Sequence, residues 1–224
     1  MKSTELELPF NKYAMDVHSQ NREDGILSEI LNRLKIKARK SLWCVEFGAW
    51  DGIYLSNTFA LVEQGWNAVY IEGNKERYLD LEMTAKKFSK IKAINAFVAR
   101  TSDDVNSLDS LLSKTKIPQD FDVLSIDIDS FDCDVWESLE CYQPKVVIIE
   151  INSSIPPGIA LRHSEKKDSN TFSATLNVGF KKGYTLVCHT GNLIFIRNDL
   201  IPSLNFPQRY IDYPELLFIH NWLQ

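Results

Sequence analysis

Short apolar runs alternate with longer amphipathic stretches, and this constrains the chain more than any other feature. The runs lie at 42–47, 68–72, 91–98, 121–127 and 145–151. Most are nearly continuous in apolar residues, the pattern of strands covered by helices on both faces. Between them, 55–64 and 75–88 carry clear helical periodicity, and 105–112 and 135–141 carry shorter versions. Strand alternating with helix predicts βαβ units and a parallel sheet. Ahead of the first run, 24–35 places Ile26, Ile30, Leu31 and Leu34 on one helical face.

The C-terminal third changes character. A helical pattern at 171–182 precedes two strand-like segments, 184–188 and 193–196, around His189-Thr190-Gly191-Asn192. Two such runs about a short polar turn with glycine predict a hairpin. The expected fold is therefore α/β, a Rossmann-like three-layer αβα sandwich whose mostly parallel sheet ends in an antiparallel C-terminal hairpin. A length of 224 residues suits one domain. We divide it into an N-terminal arm (1–22), a loop at 153–170 and a C-terminal tail (201–224). The loop holds Pro156, Pro157 and Gly158. Loops of that length inside a domain are usually functional or mobile, so we assign it to substrate binding.

Charge narrows the partners. The chain carries 25 basic and 30 acidic residues, a net charge of −5. Nucleic-acid binders need a basic excess to neutralise phosphates, so none is expected as partner. Cys44, Cys133, Cys141 and Cys188 form no CxxC pair and no zinc-spaced cluster. No apolar run approaches the roughly 20 residues of a membrane span, and residues 1–7 lack the apolar core of a signal peptide. Reduced thiols and a cytoplasmic location are the expectation. The oligomeric state is left open, a dimer included.

Open parallel sheets bind ligands beyond the carboxyl ends of their strands. After the first run the chain reads Glu46-Phe47-Gly48-Ala49-Trp50-Asp51-Gly52. Its glycines permit a tight turn and a close approach to a ligand. Neither the dinucleotide GxGxxG nor the P-loop pattern is present. Glu46 is placed either to meet an ammonium group or to order the loop. Glu72 ends the second strand, where a carboxylate accepts two ribose hydroxyls. Asp127 ends the fourth, so three acids are predicted at one sheet edge.

The pattern [E/D]xGxxxG resembles motif I of class I S-adenosylmethionine (SAM)-dependent methyltransferases. The order of further motifs resembles the FkbM-type members. These are Ser19-Gln20-Asn21-Arg22-Glu23-Asp24-Gly25-Ile26, Ser56-Asn57-Thr58, Tyr70-Ile71-Glu72-Gly73-Asn74, Ser125-Ile126-Asp127-Ile128-Asp129-Ser130-Phe131-Asp132, and Gly183-Tyr184-Thr185-Leu186-Val187 before Asn192-Leu193-Ile194-Phe195. The resemblance implies a seven-stranded sheet with its last strand antiparallel, SAM as cofactor and O-methylation as reaction. It implies that Glu46, Gly48 and Gly52 surround the methionine part of SAM, with Ala49 and Asp51 of the same loop also cofactor-binding. It places Glu72 and Gly73 at the ribose, Asn74, Phe97 and Val98 near the adenine, and Ser56 and Asn57 at the pocket's closure. Asp127 is also expected at the SAM amino group. Gly73 departs from relatives that place proline there.

Methyl transfer to a hydroxyl needs alignment and a proton acceptor. Asp127, Asp129 and Glu150, at the ends of the fourth and fifth strands, are the catalytic candidates, with His189 a further base. With Asn152 they form an all-oxygen set suited to Mg²⁺. Aspartates at a helix start more commonly cap it, so no metal is expected and Asp129 and Asp132 are read as caps. Arg162, His163 and Lys166 in the loop are candidates for a phosphate or carboxylate on the acceptor. Residues 20–25 are read as a lid over the cofactor or a cap on the first helix. The acceptor is expected to be a small polar metabolite: a sugar, a nucleotide-linked sugar or a phosphorylated compound, so that carbohydrate modification is the expected role. Two alternatives stand: an NAD-dependent oxidoreductase or epimerase, and a non-catalytic SAM- or nucleotide-binding module.

Overall fold

In the computed structural model, which describes residues 8–36, 41–164 and 170–220, seven strands form one sheet. They are β1 (Trp43–Phe47), β2 (Asn67–Glu72), β3 (Ile91–Asn95), β4 (Val123–Ile126), β5 (Val146–Glu150), β6 (Tyr184–His189) and β7 (Asn192–Arg197). Their order is β3-β2-β1-β4-β5-β7-β6. All pairs from β3 to β5 are parallel, and β7 runs antiparallel between β5 and β6. The predicted hairpin is present, and it supplies the sheet's only strand of reversed direction. A Rossmann-like fold results.

Alternate residues of each strand feed two cores, which explains the unbroken apolar runs. Val45, Phe47, Leu124, Ile126, Val147 and Ile149 pack on one face. Cys44, Ala68, Tyr70, Val123, Val146 and Ile148 pack on the other. The helices α1 (Glu23–Arg33), α2 (Phe59–Glu63), α3 (Lys75–Lys87), α4 (Leu108–Ser113), α5 (Asp132–Ser138) and α6 (Phe172–Lys181) complete the layers. Ile26, Leu27, Ile30 and Leu31 seat α1 on the second core.

Three predicted boundaries moved. The helix expected over 55–64 begins only at Phe59, because Glu46 holds the preceding residues in a loop. β3 stops at Asn95 rather than 98; the Asn95 Nδ2 donates to the Glu72 carbonyl at 2.8 Å, and the chain then turns along the cleft. The helix expected over 135–141 runs Asp132–Ser138 and ends where Leu139 turns extended. The tail packs on its own domain. α7 (Ile201–Leu204), α8 (Gln208–Asp212) and a 3-10 turn at Pro214–Leu217 bury Leu204, Tyr210 and Leu217. Among the described residues, no helix is long and apolar enough to cross a membrane.

The strand order reverses between β1 and β4, since β2 and β3 extend one way and β5 the other. Such a switch point opens a crevice at the strands' carboxyl ends. The register sets Phe47 opposite Ile71 and Ile126, and Ile126 opposite Ile149. The residues that follow therefore meet along one edge.

Candidate active site

A cleft of about 750 Å³ lies at that edge. Of the candidates named from sequence, Glu46, Gly48, Ala49, Glu72, Gly73, Asn74, Val98, Asp127, Asp129 and Glu150 line it. Asp51, Gly52, Ser56 and Asn57 are not in its wall. They build the loop behind it. Asp51 accepts from the N–H groups of Ile53 and Tyr54, and Gly52 sits at φ +80° against Leu81 and Tyr70.

Glu46 orders the loop. Its carboxylate accepts from the Ser56 hydroxyl (2.6 Å), the Thr58 hydroxyl (2.5 Å) and the Asn57 backbone N–H (3.1 Å). The Asn57 side chain donates to the Ser125 hydroxyl. Burial pushes the Glu46 carboxyl above its usual range despite these bonds. Of the two roles read from sequence, the structure has Glu46 ordering the loop. Gly48, at φ +76°, is needed for closeness: a Cβ there would overlap the Asp127 carbonyl oxygen. Thus the turn after β1 rests directly on the end of β4.

The loop over 48–58 has no helix, and α2 starts only at Phe59, eleven residues after Gly48. No helix N-terminus follows the β1 turn directly, the arrangement that anchors a pyrophosphate in dinucleotide-binding folds.

Glu72 is buried. Its carboxylate accepts the backbone N–H of Trp50 at 2.9 Å and that of Asn74 at 2.6 Å. A carboxylate has about four lone-pair positions, so acceptor capacity is left toward the cleft. Asn74 also caps α3, accepting from Glu76 and Arg77 N–H. Phe97 lies at the cleft with 75% of its surface exposed. Its ring lies so close to Gly73 that a Cβ there would overlap it. That contact gives the glycine at position 73 a local reason.

Carboxylate oxygens of Asp127, Asp129 and Glu150 come within 4.8 Å of one another. Burial, then the neighbouring Asp132 and Asp129 charges, raises Asp127 above the ordinary carboxylate range. Burial and the charges of Asp127 and Asp129 raise Glu150 likewise. Two carboxyls this close oppose each other's ionisation. Asp129 adopts φ 55°, a strained value for a residue with a side chain. Asn152, read as a fourth oxygen for a metal, gives its side-chain oxygen to Ser154 N and Oγ.

Three expectations are corrected. Asp132 does not cap its helix. It holds the preceding loop by accepting from Ile128 N (2.8 Å) and Ser130 N (3.0 Å), and Phe131 is the N-cap residue. Arg162 faces α5, paired with Asp134 at 3.0 Å and Glu137 at 2.7 Å, so it ties the loop down. His189 is fully buried, not at the cleft. Its Nδ1 accepts the Ile219 N–H at 2.9 Å, which leaves the proton on Nε2 to meet the Ser153 hydroxyl at 2.8 Å. Burial lowers its pKa to about 4.

His163 lines a second hollow of about 380 Å³ beside the first, shared with Asp129, Glu150, Asn152 and Asn170. Lys166 lies outside the described residues. The arm also reaches the site. Asp24 Oδ2 accepts from Val17, His18 and Ser19 N–H, each at 2.8 Å, and Gln20 then lines the cleft. Of the stretch 20–25 read as a lid or a helix cap, Gln20 reaches the cleft and Glu23, Asp24 and Gly25 open α1. Sequence reasoning missed Arg77, stacked 3.9 Å over Trp50, and Arg100, 4.7 Å over Phe131. Both line the cleft. No local motif marks them, because each depends on an aromatic ring remote in sequence.

No protein-family model matches the chain, and no curated protein is detectably similar to it in sequence. Solved structures share its fold. A crystal structure of monomeric WbdD is 15% identical at a TM-score of 0.51, the match covering 83% of this chain and 42% of that one. The CMeT domain of the citrinin polyketide synthase is 11% identical at 0.50, covering 79% and 51%. A TehB-like SAM-dependent methyltransferase from Corynebacterium glutamicum is 10% identical at 0.45, covering 84% and 92%. The chain spans about half or less of the first two. These likenesses are of fold.

Proposed function

We propose that the protein is a SAM-dependent methyltransferase acting on a hydroxyl of a small polar metabolite, of the FkbM-like kind that its motif order resembles. One observation carries the reading. The cleft at the switch point is lined by five carboxylates (Glu46, Glu72, Asp127, Asp129 and Glu150) and lacks a helix-anchored phosphate cradle after β1. Such a floor repels a dinucleotide pyrophosphate. It favours a ligand with an ammonium and a sulfonium charge, as SAM has.

In this reading Glu72 accepts the ribose hydroxyls, Phe97 and Val98 flank the adenine, and the backbone at Gly48 faces the methionine part. Asp127 meets the amino group. SAM supplies an electrophilic methyl carbon. The acceptor oxygen forms a bond to that carbon as the carbon–sulfur bond breaks, and the electron pair stays on sulfur. The hydroxyl proton passes to the Asp127–Glu150 pair, whose raised pKa suits it to accept. Asp129 lies beside that pair and positions the acceptor. The second hollow, lined by Asn152, His163 and Asn170, is rich in hydrogen-bonding groups and takes a sugar or a similar polyhydroxylated acceptor. The reading needs no metal at Asp127, Asp129 and Glu150, so activity is expected to survive EDTA.

Calorimetric titration tests the reading. SAM and S-adenosylhomocysteine (SAH) bind, and NAD does not. Binding of NAD without SAM overturns it in favour of an oxidoreductase or epimerase.

A further inference from the structure

Arginines around this cleft divide into two kinds. Arg162 is held by Asp134 and Glu137, whereas Arg77 and Arg100 in the cleft wall lie over aromatic rings. Arg100 has no carboxylate within ion-pair distance among the described residues. Its guanidinium lies over the Phe131 ring instead. It stands past the end of β3, in the wall of the main cleft and of an adjoining hollow of about 470 Å³ lined also by Thr101 and Ser102. Asp134 and Glu137 face that hollow, but both are already bonded to Arg162. The edge of the His163 ring meets the same Phe131, at 4.6 Å between centroids.

We propose that Arg100 is a specificity-determining residue that binds an anionic group, phosphate or carboxylate, on the methyl acceptor. This rests on the reading of the cleft as a methyl-transfer site. A guanidinium backed by an aromatic face keeps its N–H fork free for two parallel hydrogen bonds to an oxyanion. The ring also restricts its rotamers, so less freedom is lost on binding.

Charge then orients the acceptor. The floor of the cleft is acidic and repels an anion, whereas Arg100 stands at the junction with the outer hollow. The anionic end of the acceptor is drawn outward to Arg100 and its neutral hydroxyl inward to Asp127 and Glu150. One arginine thereby selects both the class of acceptor and its direction.

Phenylglyoxal, which reacts with free guanidinium groups, reads this directly. SAH-loaded protein is treated alone and with inorganic phosphate, glucose 6-phosphate, glucuronate or glucose, and modification of Arg100 is followed by peptide mass spectrometry. At least one anion slows modification severalfold and glucose leaves it unchanged; comparing glucose 6-phosphate with glucuronate separates a phosphate from a carboxylate preference. An equal rate in every sample, or equal protection by glucose, overturns the proposal. Arg100→Gln also weakens binding of the protecting anion about tenfold, the worth of one charged hydrogen bond; unchanged binding overturns it as well. SAH binding is measured on the same samples. Protein that fails to bind SAH refutes the cofactor reading, while protection of Arg100 is scored separately.

Discussion

The backbone N–H of Trp50 donates to the Glu72 carboxylate at 2.9 Å, so the loop after β1 is fastened to the end of β2. The carboxylate proposed to bind ribose is thus also a strut. Glu72→Ala removes the acceptor of both Trp50 and Asn74 N–H together with the ribose contact. Hydrogen bonds to charged groups are worth about 1.5–3 kcal/mol, so SAM affinity falls about 10- to 100-fold by calorimetry. Affinity equal to wild type sinks the ribose assignment.

Glu46 serves the loop from beneath. Glu46→Ala removes the acceptor of the Ser56 hydroxyl and the Asn57 N–H, both buried, while the Thr58 hydroxyl keeps its bond to the Tyr70 hydroxyl. A buried polar group left without a partner costs about 1–3 kcal/mol, and a loss of about 2–3 kcal/mol is expected for the two together after partial relaxation. Urea unfolding measures it. Glu46→Gln, which keeps an acceptor oxygen, loses less.

Asp127 and Glu150 make stability fall as pH rises. Their carboxyls are raised in the folded protein, so the native state holds protons that the unfolded chain has released. Stability from the pair is fully present below the ordinary carboxylate pKa of about 4 and is lost as pH climbs through the raised values. The double variant Asp127→Asn with Glu150→Gln flattens this slope in thermal melts and abolishes methyl transfer. A slope as steep as wild type refutes the raised pair.

His189 acts in the opposite direction. Its folded pKa, about 4, lies below the roughly 6.5 of an unfolded histidine. Its contribution is intact above pH 6.5 and is lost as pH falls toward 4. The 3-10 turn at Pro214–Leu217 and the Ile219 N–H that depend on it loosen first, and proteolysis of the tail accelerates in that window. In His189→Gln the acceleration is absent. Tail cleavage that is insensitive to pH in the wild type contradicts this account.

These residues show what was legible in the sequence. The strands were, because burial on both faces forces apolar side chains at successive positions whatever their partners. Glu72, Asp127 and Glu150 were legible for a related reason: each ends such a run, and parallel register brings run ends together. The start of α2 was not. Leu55, Phe59 and Val62 carry helical spacing, but a carboxylate on another element binds residues 56–58 and delays the helix. Arg162 misled for the same cause. Asp134 and Glu137, three apart on α5, present one face to it, and nothing near Arg162 in the chain announces them. Long-range polar pairing decides such details, and local pattern does not record it.

Glu23 is fully buried, and its carboxylate accepts from Thr190, in the turn between β6 and β7, and from Asn192, which opens β7. The two ends of that contact are 167 residues apart or more. A nascent chain therefore makes β1 through β5, and with them the carboxylate floor of the cleft, before the anchor of its own first helix exists. Gln20 lies three residues from Glu23, so the arm that reaches the cleft gains this anchor only once the last hairpin has been added.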